Sequence, residues 1–253
     1  MRKTTKILTA LTASVVILGS IVYLAGLERG KIMSSKTTTI SPKGTVKLPS
    51  PHKESSISIE EALRKRRSQR VYRQASLSLE EVGQLLWAAQ GITHGSGFRT
   101  APSAGALYPL ETYLVAGEVT NLSSGVYLYL PHKHELIPVF SGDIRKRLCN
   151  ASLNQQPVCA APAAIVFSAV FARSTGKYGR RGIRYAHMEA GTAAQNVSLQ
   201  AVSLKIGTVV IGAFEDGQVR DVLSLPVSKV PLLIMPVGKE LVAEPTTFTL
   251  SEF

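Results

Sequence analysis

The chain has 253 residues, 45% of them hydrophobic and 18% charged, with a formal net charge of +12. That length carries one good-sized domain plus additional segments, and the composition excludes a disordered or collagen-like chain. Much of the positive excess stands before Ser56, at Arg2, Lys3, Lys6, Arg29, Lys31, Lys36, Lys43, Lys47 and Lys53, against Glu28 and Glu54; with no zinc-finger spacing, RNP motif or clear helix-turn-helix, no nucleic-acid partner is expected.

From Ile7 to Leu27 the sequence is uncharged and mostly apolar, after Arg2, Lys3 and Lys6. A spanning helix needs about 20 residues, whereas a cleavable secretory signal has an apolar core of about 7–15. Residues 1–30 are therefore expected to form an uncleaved transmembrane signal-anchor with the domain outside the cytoplasm. A cleaved signal peptide is the alternative. Arg29, Lys31 and Lys36 beyond the run oppose the first three charges under the positive-inside rule, so a domain on the cytoplasmic face stays open. Residues 31–56 are rich in Ser, Thr, Lys and Pro without periodicity and read as a flexible linker. Residues 57–240 form the expected domain and 241–253 a tail.

Ser58 stands three residues before Glu61, a capping-box spacing, with Ile59, Ala62 and Leu63 on one helical face. Ser78 and Glu81 repeat the device, and Leu79, Val82, Leu85, Leu86 and Ala89 form an amphipathic stripe that Gly91 ends. Strands are predicted at Thr112–Ala116, Val126–Leu130, Ala164–Val170, Thr208–Ile211 and Leu232–Val237. "DIRKRLCNAS" reads as a helix, and "YAHMEAGTAAQNVSLQAVSLKIG" as a long buried helix ended by Gly207. This mixture without strict alternation predicts an α+β domain, one sheet covered by helices. Cys149 and Cys159 are the only cysteines and match no metal-binding spacing. Two ordinary buried thiols or, in an oxidising compartment, a disulfide would both fit.

Four stretches carry candidate chemistry. Arg66, Arg67, Ser68 and Arg70 in "RRSQR" suit a solvated helix end or a phosphate clamp, since arginine forks match phosphate oxygens in pairs. "APSAGALYP", from Ala101 to Pro109, is a loop of small residues that lets backbone approach a flat ligand. "IGAFED" has the same character after a strand, where Gly212 and Ala213 could present backbone N–H groups. Lys177 and Tyr178, adjacent in "GKYGRRGIRY", are an exposed basic loop or an acid–base pair. No GxGxxG fingerprint or P-loop is present.

In this order, "RRSQRVY", "LSLEEVGQLLWAAQGIT", "PSAGALYPLETYLV", "GVYLYLPHKHEL", "KYGRRGIRY", "EAGTAAQNVSLQAVSLKIG", "IGAFED" and "PVGK" resemble the nitroreductase-like flavoproteins. Within that superfamily the chain is similar to the SagB-type dehydrogenases, the thiazoline/oxazoline peptide oxidase branch. The resemblance runs from about Ile57 to Lys239. It implies a nitroreductase-like fold with a mostly antiparallel central sheet, FMN as cofactor, and a homodimer with flavin at the subunit interface. By the same resemblance Arg66, Arg67, Ser68 and Arg70 hold the FMN phosphate and ribityl chain, and Lys239 reaches the phosphate. Pro102, Ser103, Ala104 and Gly105 lie along the isoalloxazine, often from the second subunit, and Gly212 and Ala213 face its reactive edge. Lys177 and Tyr178 match the adjacent pair that assists proton removal while hydride passes to the flavin. Asn196, on the buried helix, needs a polar partner. The implied activity is oxidation of a peptide-derived or small-molecule substrate; the alternatives are a nicotinamide-dependent nitro or quinone reductase and a flavin-free binding module.

Overall fold

A computed structural model describes residues 44–241. The expected signal-anchor and the tail from residue 242 onward lie outside the described residues. Among the described residues no helix is long and apolar enough to cross a membrane.

Seven antiparallel strands form one sheet: β1 (Val46–Lys47), β2 (Leu110–Ala116), β3 (Gly125–Leu130), β4 (Glu135–Ser141), β5 (Ala163–Ala169), β6 (Ile206–Thr208) and β7 (Val230–Lys239). Their spatial order is β1-β4-β3-β2-β5-β7-β6. Helices α1 (Ile59–Lys65), α2 (Leu79–Gln90), α3 (Arg145–Ala151), α4 (Gln156–Ala160), α5 (Ala172–Tyr178), α6 (Arg181–Ser203) and α7 (Asp216–Val222) complete the domain.

The period-2 geometry of a strand decides the layering. In β5, Ile165 and Phe167 point into a core with Leu85, Leu86 and Ala89 of α2 and Ala190, Ala193 and Val197 of α6. Ala164 and Val166 point the other way, into a second core with Leu148 of α3 and Val219 and Val222 of α7. Every residue of β5 is buried, so its sequence shows an unbroken run of small and apolar residues rather than alternation. Burying a side chain such as Phe167 is worth about 1.5–3 kcal/mol.

Helix α2 starts as its sequence predicts: Ser78 Oγ accepts from the Glu81 N–H at 3.1 Å, and Glu81 Oε2 accepts from the Ser78 N–H at 2.9 Å. It ends at Gly91, where a Cβ would lie 2.1 Å from Trp87 Cδ1. In α1 only half of the box forms. Ser58 Oγ accepts from Glu61 N, while the Glu61 carboxylate pairs with Lys65 one turn on. Of its expected apolar face only Ala62 is buried; Ile59 and Leu63 are 56% and 54% exposed.

Four sequence expectations need correction. The long helix stops at Ser203, not Gly207: Lys205 turns into the left-handed region (φ 54°) and Gly207 belongs to β6. The strand expected at Thr208–Ile211 closes at Thr208, with Ile211 joined to Ile234 by an isolated bridge. Strand β4 was not predicted, because Pro138 interrupts its pattern. The linker is not loose from Val46 onward. There the chain adds β1 to the sheet edge and buries Leu48, and the His52 backbone exchanges hydrogen bonds with the Gln84 side chain (2.8 and 3.0 Å).

The two cysteines are joined. The Cys149–Cys159 disulfide ties α3 to α4 across a separation of 10 residues, with Cα atoms 4.7 Å apart. By loop-closure entropy it constrains the unfolded chain by about 2–3 kcal/mol. Replacing both cysteines by serine is expected to lower stability by that amount, read as a fall in denaturant midpoint with a somewhat steeper slope, because the unlinked unfolded chain exposes more surface. An unchanged midpoint would contradict it.

Candidate functional site

The arginine segment lies on the β6–β7 end of the sheet. Arg66 ends α1, its N–H still bonded to Ala62 O at 2.9 Å. The chain then runs out in extended form: Gln69 N donates to Thr208 O (2.9 Å), Arg73 N to Lys239 O (3.0 Å), and Gln69 Nε2 to Glu240 Oε1 (2.6 Å). Two glycines allow this approach. A Cβ at Gly207 would lie 2.8 Å from Gln69 Oε1, and one at Gly238 2.8 Å from the Tyr72 ring. Arg67, Ser68 and Arg70 are exposed and Arg66 is half-buried. Arg67 and Arg70 donate only to nearby backbone carbonyls, and among the described residues none of Arg66, Arg67 and Arg70 has a carboxylate partner. Beside them a cavity of about 550 Å³ is lined by Lys65, Arg67, Gln69, Lys205 and Thr208. Thr208 Oγ1 is buried without a hydrogen-bond partner among the described residues. Lys239 points elsewhere: its Nζ is paired with Glu81, the capping residue of α2.

A second group gathers near the start of α6. Pro102–Gly105 lead into a single 3-10 turn (Ala104–Ala106) in which Gly105 has φ +63°. Lys177 and Tyr178 are not in a loop; they end α5. They sit directly over Gly105, where a Cβ would lie 2.7 Å from Tyr178 Oη and 3.1 Å from Lys177 Nζ. Only glycine meets both constraints, the left-handed backbone and the missing side chain. Among the described residues, the N–H groups of Ser103, Ala104 and Gly105 have no intrachain acceptor, while Ser103 Oγ accepts from Tyr108 N at 2.9 Å.

Gly212 and Ala213 form an exposed turn held from behind, where Gln155 Nε2 donates to Ala213 O at 2.6 Å and Glu215 N to Ala151 O at 2.9 Å. Their own N–H groups find no acceptor among the described residues. A Cβ at Gly212 would lie 4.0 Å from Leu233 Cδ2. The turn therefore borders the cavity of about 320 Å³ lined by His187, Gly191, Gln195, Val210 and Leu233. Asn196 is anchored, its Nδ2 donating to Thr100 O at 3.1 Å.

Two carboxylates that sequence reading passed over organise this region. Glu111, at the start of β2, pairs with Arg173 (2.7 Å) and Lys229 (2.7 Å) and accepts from Tyr113 Oη (2.8 Å). Arg173 also donates to Tyr108 O at 3.2 Å, so one carboxylate docks α5 against the loop that carries Gly105. Burial pushes the Glu111 carboxyl up, but hydrogen bonds from Lys229, Tyr113 and Arg173 outweigh it and hold it below the ordinary range. Glu189 of α6 is only 3% exposed. Burial pushes its carboxyl up to about 7, against opposing contributions from Ser103, Arg99 and Gln90. A signal for it existed: Glu189 is the one acid on the stripe Gly182, Ala186, Ala190, Ala193 and Val197.

Residues 63–239 match the nitroreductase family. A Methanocaldococcus jannaschii protein named as a nitroreductase (MJ1384) is 43% identical over 185 residues, 73% of this chain and 92% of that one. The microcin B17-processing protein McbC of Escherichia coli is 32% identical over 150 residues, 57% of this chain and 55% of McbC. In the structure of the E. coli microcin synthetase McbBCD complex, a chain superposes with a TM-score of 0.61 at 26% identity, covering 87% of this chain and 82% of that one. A nitroreductase-type protein from Anabaena variabilis superposes with a TM-score of 0.69 at 28% identity over 83% of this chain and 45% of that one. The chain belongs to the nitroreductase family, a family of oxidoreductases whose members generally use FMN, and has its α+β fold.

The Glu111 cluster predicts a pH-dependent loss. A depressed carboxyl adds stability above its unfolded pKa and loses it as pH falls through the folded value. Glu111→Gln is expected to cost about 1.5–3 kcal/mol at pH 7, the scale of charge-assisted hydrogen bonds. The difference from wild type should shrink below about pH 4, where unfolded glutamate is protonated. Thermal melts of both proteins across pH 3–7 test this; an equal deficit at every pH would contradict it.

Proposed function

We propose that the protein is an FMN-dependent oxidoreductase of the SagB type, removing hydrogen from a peptide-derived or small-molecule substrate. The observation that carries the reading is the seating of Lys177 and Tyr178 over Gly105. It joins two sequence-distant motifs, an acid–base pair and a loop with free N–H groups, in one place. The McbC likeness supports a peptide-derived substrate.

The residues present suit FMN. Arg66, Arg67 and Arg70 have no carboxylate partner among the described residues, and Ser68 adds a hydroxyl, a donor set matched to a phosphate. Pro102, Ser103, Ala104 and Gly105 offer a side-chain-poor surface for a flat ring. Gly212 and Ala213 offer two free N–H groups to its polar edge. Lys239, ion-paired with Glu81, is not a direct contact in this reading. Bound flavin supplies two-electron redox chemistry at its N5 edge. The chain's own task is proton handling: Lys177 or Tyr178 takes the carbon-bound proton of the substrate, within hydrogen-bond reach of it.

The layout favours a second copy of the chain in each site. Lys177, Tyr178 and Gly105 lie at the N-terminal end of α6, and the arginine segment bonds to Thr208 just past its C-terminal end. A 23-residue helix is about 34 Å long, more than one mononucleotide spans. In a homodimer the loop of one copy would face the arginines of the other. The disulfide fits an oxidising compartment and, with the apolar run from Ile7 to Leu27, supports a membrane-anchored domain outside the cytoplasm. A second reading, a nicotinamide-dependent nitro or quinone reductase, draws on the relative named as a nitroreductase; dependence on a nicotinamide donor separates the two.

Arg66→Ala is expected to weaken FMN binding by about 1.5–3 kcal/mol through loss of a charge-assisted bond, measured by titrating the apoprotein with FMN and following the quenching of flavin fluorescence. Lys177→Ala should leave that affinity within about a factor of two, well under the tenfold that 1.4 kcal/mol represents. It should slow substrate oxidation by about 10²-fold or more, the usual contribution of a general acid–base group. Unchanged affinity in Arg66→Ala would remove the arginine segment from the site, and full turnover in Lys177→Ala would remove the base.

A further inference from the structure

Behind the loop that carries Gly105 lies a buried polar cluster that the proposed chemistry does not use. Glu189 (α6), Gln90 (the last residue of α2) and Arg99 (the loop itself) meet there. Glu189 and Gln90 are 3% and 1% exposed. Arg99 Nη1 donates to Gln90 Oε1 at 2.8 Å, and its guanidinium lies over the Tyr108 ring at 4.2 Å. Three atoms in this cluster are buried without a partner among the described residues: Glu189 Oε1, Gln90 Nε2 and Arg99 Nε. Such atoms are rare in a folded core, and each costs about 1–3 kcal/mol. Three together mark a network with more than one way to close.

The other face of the cluster is the loop. Ser103, Arg99 and Gln90 all favour the charged form of the Glu189 carboxyl. The Ser103 Oγ already accepts from Tyr108 N across the loop, which leaves its hydroxyl proton to donate elsewhere. The charged or titratable neighbours around Arg99 are Glu189, Tyr108, Arg173 and Tyr129. Arg99 is thus the nearby cation that an ionised Glu189 would attract.

We propose that Glu189 is the positioning residue of the Pro102–Gly105 loop. Ionised, its carboxylate accepts from Ser103 Oγ and attracts Arg99, and the loop is held against α6. Protonated, it loses both charge-assisted interactions and can instead donate its own proton, so the loop loosens. Because this loop is also the surface assigned above to the flavin ring, its order would set cofactor affinity; that part rests on the proposed function, while the control of loop order does not.

The change falls near neutral pH, since burial holds the carboxyl at about 7. The sign for global stability is opposite to that for the loop. A carboxyl raised in the folded state contributes its stability below the unfolded pKa and loses it as pH rises through the folded value. Ionisation therefore tightens the loop while lowering the overall melting temperature.

The test compares wild type with Glu189→Gln, which keeps the shape and fixes the neutral state. Hydrogen exchange of the loop amides, corrected for the intrinsic pH dependence, is measured at pH 6 and pH 8. Wild-type protection is expected to rise by on the order of tenfold between the two, the scale of one charge-assisted hydrogen bond. Glu189→Gln should stay flat, and its melting temperature should lack the wild-type fall between about pH 4 and pH 7, the window between the unfolded and folded values of the glutamate. Ser103→Ala, which removes the donor at a half-buried loop position, should also flatten the loop response and, by withdrawing a bond that favours the ionised carboxyl, move the fall in melting temperature to higher pH. FMN affinity, titrated over the same pH range, should follow loop protection. The same rise in protection in wild type and both variants would overturn the proposal. Loop control without any FMN binding would instead leave Glu189 in its role and overturn the flavin reading.

Discussion

The double-sided burial of β5 is the constraint on which the rest depends. A strand covered on both faces needs two layers of apolar side chains, and β5 supplies them by alternation: Ile165 and Phe167 to one core, Ala164 and Val166 to the other. The first core takes the 23-residue helix α6 across the sheet. Once α6 is fixed there, both of its ends are fixed, and the candidate functional residues sit at those ends. Packing, rather than any local motif, sets the distance between Lys177 and the arginine segment.

Glycines make the contacts between these elements close. Gly207 and Gly238 let the Arg66–Tyr72 segment lie on the sheet edge, and Gly105 lets Lys177 and Tyr178 settle on a loop more than 70 residues away in sequence. Carboxylates hold the result in place. Glu81 caps α2 and pairs with Lys239 at the end of β7. Glu111 gathers Arg173, Lys229 and Tyr113. Charge-assisted bonds of this kind are strong where water is partly excluded, and the pairs to Lys239, Arg173 and Lys229 join elements far apart in the chain.

Local chemistry was the most legible part of the sequence. The Ser78–Glu81 cap, the α2 stripe and the central strands follow from short-range pattern, and the motif order alone points to the nitroreductase family. Long-range balance was less legible. Helix α6 ends four residues before Gly207, because the chain needs Gly207 in β6 to admit Gln69. Pro138 hid β4, although the strand accommodates it by pairing with Tyr127 beside a register shift. Val46–Lys47 has strand character for only two residues, and nothing local shows that β4 leaves an edge for it. Lys239 looked free to reach an anion because its partner Glu81 is 158 residues away. Glu111 stayed invisible for the same reason, an ordinary acid until the side chains around it are known, whereas Glu189 left a signal as the one acid on the buried stripe of α6.

The central claim is that these residues form a flavin site. Its most direct measurement is the visible absorption spectrum of the purified full-length protein after exposure to FMN and removal of the excess, with the released chromophore identified by mass. A flavin band and the mass of FMN, at about one equivalent per chain, is the predicted result. A colourless protein that takes up no FMN would contradict the account and leave a nitroreductase fold whose arginines serve some other anion.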